Sequence, residues 1–268
     1  MEIQIFQVDA FTKHVFKGNP AAVCPLNEWL GDYILQKIAA ENNLSETAFF
    51  VKKNDIYELR WFTPRTEVDL CGHATLAAAF VIFNFFEDSL HSVTFETMSG
   101  KLVVEKEETD LLFMDFPSRR GQPCDLPEEL IRALGEEPAE VFLSRDYLVV
   151  YESENQIKRI NPNMDLLEKL DSLGVIITAP GDEVDFVSRF FAPKVGVPED
   201  PVTGSAHCTL IPYWSNRLKK KKLRAHQLSP RGGEIFCEDL GKRVRIGGYS
   251  VLYLKGVINT KAAKPQPK

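Results

Sequence analysis

The chain has 268 residues and a mass of 30.3 kDa, with 44% apolar and 26% charged residues, which suits one large globular domain or two small ones. A net charge of −6 and a pI of about 5.5 argue against nucleic-acid binding, because phosphate backbones demand a basic surface. No basic-then-apolar leader opens the chain, the apolar stretch 74–86 is too short to span a membrane, and five scattered cysteines (Cys24, Cys71, Cys124, Cys208, Cys237) form no CxxC pair, so a cytoplasmic protein without disulfides, membrane contact or a metal site is expected.

In chain order, the first half predicts strands over 2–8, 48–51, 57–62, 92–96, 102–106 and 111–116. Gly18-Asn19-Pro20 reads as a turn with Asn19 as a structural residue. Residues 28–42 carry Leu30, Tyr33, Ile34, Leu35 and Ile38 on one face and predict an amphipathic helix. Residues 73–86 are apolar on nearly all sides and predict a buried central helix. The second half predicts strands over 140–143, 147–151, 175–178, 185–191, 233–237, 243–246 and 251–255, with a second buried helix over 202–218. Lysines 219–222, flanked by Arg217 and Arg224, read as a solvated helix end, and 261–268 as a disordered tail. Many antiparallel-looking strands around few helices give an α+β class. Neither GxGxxG nor GxxxxGKS occurs, so no nucleotide cofactor is indicated.

An internal echo is the most informative feature. Arg60-Trp61-Phe62-Thr63-Pro64 matches Arg189-Phe190-Phe191-Ala192-Pro193 at an offset of 129 residues. Seven residues after each proline stands a group able to exchange a proton, Cys71 and then Asp200, and each leads into an apolar helix. This predicts two similar domains, 1–117 and 118–260, each with a buried helix whose N-terminus favours an anion.

Five segments carry a resemblance: 8–23, 43–50, 60–79, 189–207 and 229–234. With them the chain resembles the phenazine-biosynthesis isomerase (PhzF-like) family, which also contains the vertebrate MAWD-binding-protein-like members. The resemblance implies the diaminopimelate-epimerase-like fold: two barrel-like β domains, each around a central helix, with the active site in the cleft between them. It also implies a homodimer.

By resemblance Glu46 aligns with the family's catalytic acid/base, and closure from water would raise its pKa toward neutrality. Asp200 reads as an N-cap for a helix at Val202 and as a second catalytic carboxylate that binds and polarises the substrate; by resemblance it occupies the position where the epimerase and proline-racemase relatives carry one of two catalytic cysteines. His73 is assigned substrate contact and proton handling, and Gly72 close backbone approach. Cys71 reads as a small buried residue or as a helix-terminal thiol of lowered pKa. Thr203, Gly204 and Ser205 are expected to bind a substrate carboxylate. His207 is a weaker candidate, Cys208 reads as core, and 231–233 lead into a strand near the cleft. The expected activity is a cofactor-independent isomerisation of a small carboxylate-bearing substrate. The alternatives are an amino-acid racemase or epimerase using Cys71 with a carboxylate, and a catalytically silent binding protein.

Overall fold

Apolar runs, alternating in some segments and continuous in others, become strands, and the two longest helices bury most of their residues. The computed structural model describes residues 1–260, so the tail expected over 261–268 lies outside the described residues. The chain falls into two units, Met1–Asp115 with residues 248–260, and Phe116–Gly247.

The first unit runs β1 (Glu2–Ala10), β2 (Asn19–Leu26), α1 (Asp32–Asn42), β3 (Glu46–Lys53), β4 (Ile56–Phe62), β5 (Glu67–Val68), α2 (Gly72–Phe85), β6 (Ser92–Thr97), β7 (Gly100–Lys106) and β8 (Leu112–Pro117). The second runs β9 (Gln122–Pro123), α3 (Glu128–Leu134), β10 (Glu140–Leu143), β11 (Tyr147–Val150), α4 (Glu154–Arg159), α5 (Met164–Leu167), β12 (Val175–Pro180), β13 (Phe186–Phe191), α6 (Gly204–Leu218), β14 (Lys222–Gln227), β15 (Gly233–Asp239) and β16 (Arg243–Gly248). The last strand, β17 (Ser250–Asn259), returns to the first unit.

The echo proves to be a repeat of topology. In the first unit the strands pair in the order β17-β1-β2-β3-β4-β6-β7-β8, with contacts antiparallel, antiparallel, parallel, antiparallel, parallel, antiparallel and antiparallel. The second unit, β9-β10-β11-β12-β13-β14-β15-β16, shows the same succession. The short β5 is a side strand on β4. The repeat requires β17, which takes the place in the first unit that β9 takes in the second. The expected domain 118–260 is corrected on this point: β17 lies antiparallel along all of β1, a long-range pairing that its own residues do not reveal.

Helix α2 has no Asp, Glu, Lys or Arg and buries His73 to Ala79 and Val81 to Phe83 against β1, β2, β3 and β17. Helix α6 packs on β14 and β15. Its Trp214 stacks on Phe186 with centroids 5.6 Å apart and donates Nε1–H to Thr178 Oγ1 at 3.0 Å. Short helices α3, α4 and α5, which the sequence did not announce, cover a core of Leu130, Leu134, Val149, Ile157, Val175 and Ile177.

Four strands also escaped the sequence, the two-residue β5 and β9 and the longer β2 and β14. β2 contains Pro20 and Pro25, which mask a strand signal, and β14 opens inside the lysine run. Helix α6 ends at Leu218 with Lys219 in the left-handed conformation, and Lys220 pairs with Asp185 at 2.7 Å, so the basic run is the α6–β14 turn. Asn19 is corrected from turn residue to a fully buried first residue of β2. Gly18 makes the turn at φ 65°, where an added Cβ would sit 2.0 Å from the Ala10 carbonyl oxygen.

Candidate functional site

Each buried helix begins at a glycine after an extended N-cap residue: Cys71 before α2 and Thr203 before α6, and neither side chain caps its helix. Gly72 therefore corresponds to Gly204 and His73 to Ser205. The helix starts are 132 residues apart while the strand arginines are 129 apart, because the second approach loop is three residues longer. Asp200 is thus neither the N-cap nor the positional partner of Cys71. Its Oδ2 accepts the Thr203 hydroxyl at 2.5 Å, and Thr203 holds the helix-entry place.

The echoed arginines brace these approach loops. Arg60 donates Nε and Nη2 to the Glu67 carboxylate at 2.6 and 2.7 Å, and Arg189 does the same to Glu199 at 2.7 and 3.1 Å. Each stacks on the phenylalanine two residues on, Phe62 at 5.1 Å and Phe191 at 4.9 Å. Each glutamate stands four residues before its N-cap.

The first unit brings Glu46, Cys71 and His73 together. Glu46 opens β3, beside Ala21 of β2, while Cys71 and His73 enter α2. His73 Nε2 lies 3.1 Å from Glu46 Oε2 without a linear N–H···O arrangement, and Cys71 Sγ lies 3.5 Å from His73 Nδ1. Cys71 and His73 are buried, and the Glu46 side chain is 18% exposed. The three offer sulfur, nitrogen and oxygen within 4.8 Å of one another, a donor set that suits a thiophilic divalent cation. Nδ1 faces the sulfur and Nε2 the carboxylate, so one ion reaches all three only after a side chain turns.

The electrostatics correct one expectation. Burial by itself would raise the Glu46 pKa, but the charge and contact of His73 outweigh it and hold the carboxyl below its ordinary value. Burial likewise would lower His73, yet the charges of Cys71 and Glu46 carry it well above 6.5. Burial foremost pushes the Cys71 thiol up to about 11, so near neutral pH the carboxylate is the charged partner of His73. The reading of Cys71 as a thiol of lowered pKa is overturned: the helix N-terminus does not offset the loss of water.

In the second unit Asp200, Thr203, Gly204 and Ser205 gather at the start of α6. Gln227, which the sequence did not single out, ties them together. Its Oε1 accepts the Thr203 N–H at 2.9 Å, and its Nε2 donates to Asp200 O at 2.8 Å and Thr203 Oγ1 at 3.0 Å. It lies 24 residues beyond Thr203 on β14, where no local motif marks it. His207 is core: its Nδ1 contacts Thr203 O at 2.8 Å and burial pushes it down to about 4. Cys208 is core too, its thiol pushed up by burial to about 11. Residues 231–233 lead into β15. A cavity in the first unit, lined by Ile3, Leu30, Phe50, Tyr57 and Glu87, includes none of the candidates. Among the described residues no helix is long and apolar enough to cross a membrane.

The family described as phenazine biosynthesis-like protein matches residues 8–256. An isomerase of Pseudomonas aeruginosa is 52% identical over 97% of this chain and 100% of its own. A crystal structure of a phenazine biosynthesis protein of the PhzF family from Enterococcus faecalis is 49% identical with a TM-score of 0.95, covering 97% of this chain and 100% of that one. A hydroxyproline epimerase from Agrobacterium vitis, 10% identical over 96% of this chain and 92% of its own, shares the fold with a TM-score of 0.60. The α+β fold is therefore the epimerase-like one that the sequence implied. With full-length relatives of about half-identical sequence named isomerases, the chain belongs to the phenazine biosynthesis-like protein family and is an isomerase of it.

Proposed function

We propose that the chain catalyses a cofactor-independent isomerisation in which Glu46 removes a proton from one carbon of a small carboxylate-bearing substrate and returns it to another. The observation that carries this reading is the Glu46–His73 contact of 3.1 Å in a buried setting. A carboxyl kept ionised by a neighbouring imidazolium is a ready proton acceptor, and the same imidazolium stabilises negative charge that develops on the substrate. Asp200, Ser205, Thr203 and Gly204 bind the substrate in this reading, supported by the start of α6, which the Thr203 side chain leaves uncapped. Gly72 and Cys71 line the other helix start. On the family resemblance the protein works as a homodimer in the cytoplasm, and its mass in solution tests the dimer.

The racemase reading is weaker, because it needs a thiolate and burial keeps the Cys71 thiol protonated up to about 11. The silent-binder reading leaves the gathered Glu46, Cys71 and His73 without a use. The test is solvent deuterium incorporation into a panel of small carboxylates, followed by mass spectrometry. Glu46→Gln is expected to abolish it; unchanged incorporation shows that Glu46 is not the base.

A further inference from the structure

The second unit holds a charged pair that the chemistry above does not use. Asp146, in the turn between β10 and β11, is fully buried, which is costly for a carboxylate unless it is compensated. Arg145 compensates it, donating Nε and Nη2 to Asp146 Oδ2 at 3.1 and 3.0 Å. Nη2 also donates to Ser205 Oγ at 3.0 Å, 60 residues along the chain. A guanidinium has N–H donors and no acceptor, so Ser205 Oγ must accept from Arg145, and its own proton is left for another acceptor. A helical serine often donates to the carbonyl four residues back. That carbonyl, on Pro201, receives the Ser229 hydroxyl at 2.8 Å. The Arg145 side chain is 35% exposed, and its Nη1 takes no partner among the described residues.

We propose that Arg145 is a positioning residue for Ser205: it fixes the serine hydroxyl as a donor and, with its Nη1 donors, makes the start of α6 select a carboxylate over a neutral group. The proposal rests on the reading of Ser205 as a substrate contact. The rival is that Arg145 only neutralises Asp146, in which case removing both charges leaves recognition unchanged.

Anthranilate and anthranilamide, which share ring and amine and differ in the carboxylate, are suitable probes for titration calorimetry. The wild-type chain is expected to prefer the acid by about tenfold or more, the size of one hydrogen bond to a charged group. The double variant Arg145→Gln/Asp146→Asn buries no unpaired charge, and it should bring the preference to within about twofold, while Arg145→Lys keeps most of it. Ser205→Ala, a change at a half-buried position that threatens folding least, should reduce the preference too, but less far than the double variant, because the Arg145 Nη1 donors remain. Retention of the preference in either of these variants overturns the proposal, as does a wild type that binds the two probes equally or binds neither. Deuterium incorporation by Glu46 uses neither probe, so the two readings fail separately.

Discussion

Separating the charges of Glu46 and His73 should expose a coupling energy that depends on pH in a defined direction. At 3.1 Å two unit charges attract by about 5 kcal/mol at an effective dielectric constant of about 20. Desolvation cancels part of this, and in a double-mutant cycle contacting residues typically retain up to about 3 kcal/mol. His73 is raised above its ordinary 6.5, so its share of stability is complete below 6.5 and is lost as pH rises through its folded value. Glu46 is lowered from 4.5, so its share is complete above 4.5 and is lost as pH falls through its folded value. The coupling should therefore be largest between those two ordinary values and decline on the alkaline side. Urea unfolding of the wild type, Glu46→Gln, His73→Gln and the double variant, at about pH 6 and about pH 10, measures it as a coupling of about 2–3 kcal/mol that shrinks at the higher pH. A coupling below about 0.5 kcal/mol at the lower pH, or one that grows at the higher, refutes the ion-pair reasoning.

Three further outcomes are expected. Arg189→Met strands Glu199 and removes donors to the Ile157 and Ile160 carbonyls, so it should cost about 3–5 kcal/mol in denaturant unfolding, while Arg189→Met/Glu199→Met costs less; a single-variant loss under about 1 kcal/mol contradicts the bracing role. Cys71, held up to about 11, should react with iodoacetamide at about pH 8 some hundredfold more slowly than in urea-unfolded chain, and equal rates would show an exposed or ionised thiol. Gly18→Ala places a Cβ 2.0 Å from a backbone oxygen at positive φ and should lose at least about 2 kcal/mol of stability; an unchanged thermal midpoint would mean that the turn can rearrange.

Much of this fold was legible because its signals are local. The alternation of β4, the continuous apolar run of β12, the all-round apolar surface of α2 and the paired Arg-x-Phe strands need only neighbours in sequence to be seen. The candidate residues Glu46, His73, Asp200 and Ser205 were readable through motifs, yet the sequence assigned some of their physics wrongly. Glu46 was expected to be raised and is lowered, because the partner that decides the sign sits 27 residues away on another element. Asp200 was matched to Cys71 by counting from the echo, whereas the longer second loop gives that place to Thr203.

By itself the sequence determined that the chain is two copies of one strand-and-helix plan, and it named the residues at each helix start. Tertiary structure alone decided that β17 completes the first copy, that Gln227 and Arg145 hold the second helix start from distant strands and turns, that His73 keeps Glu46 ionised against the effect of burial, and that burial keeps Cys71 protonated. Strand pairing, long-range hydrogen bonds and desolvation join residues far apart along the chain, and no local pattern of apolar and polar residues encodes which of them will meet.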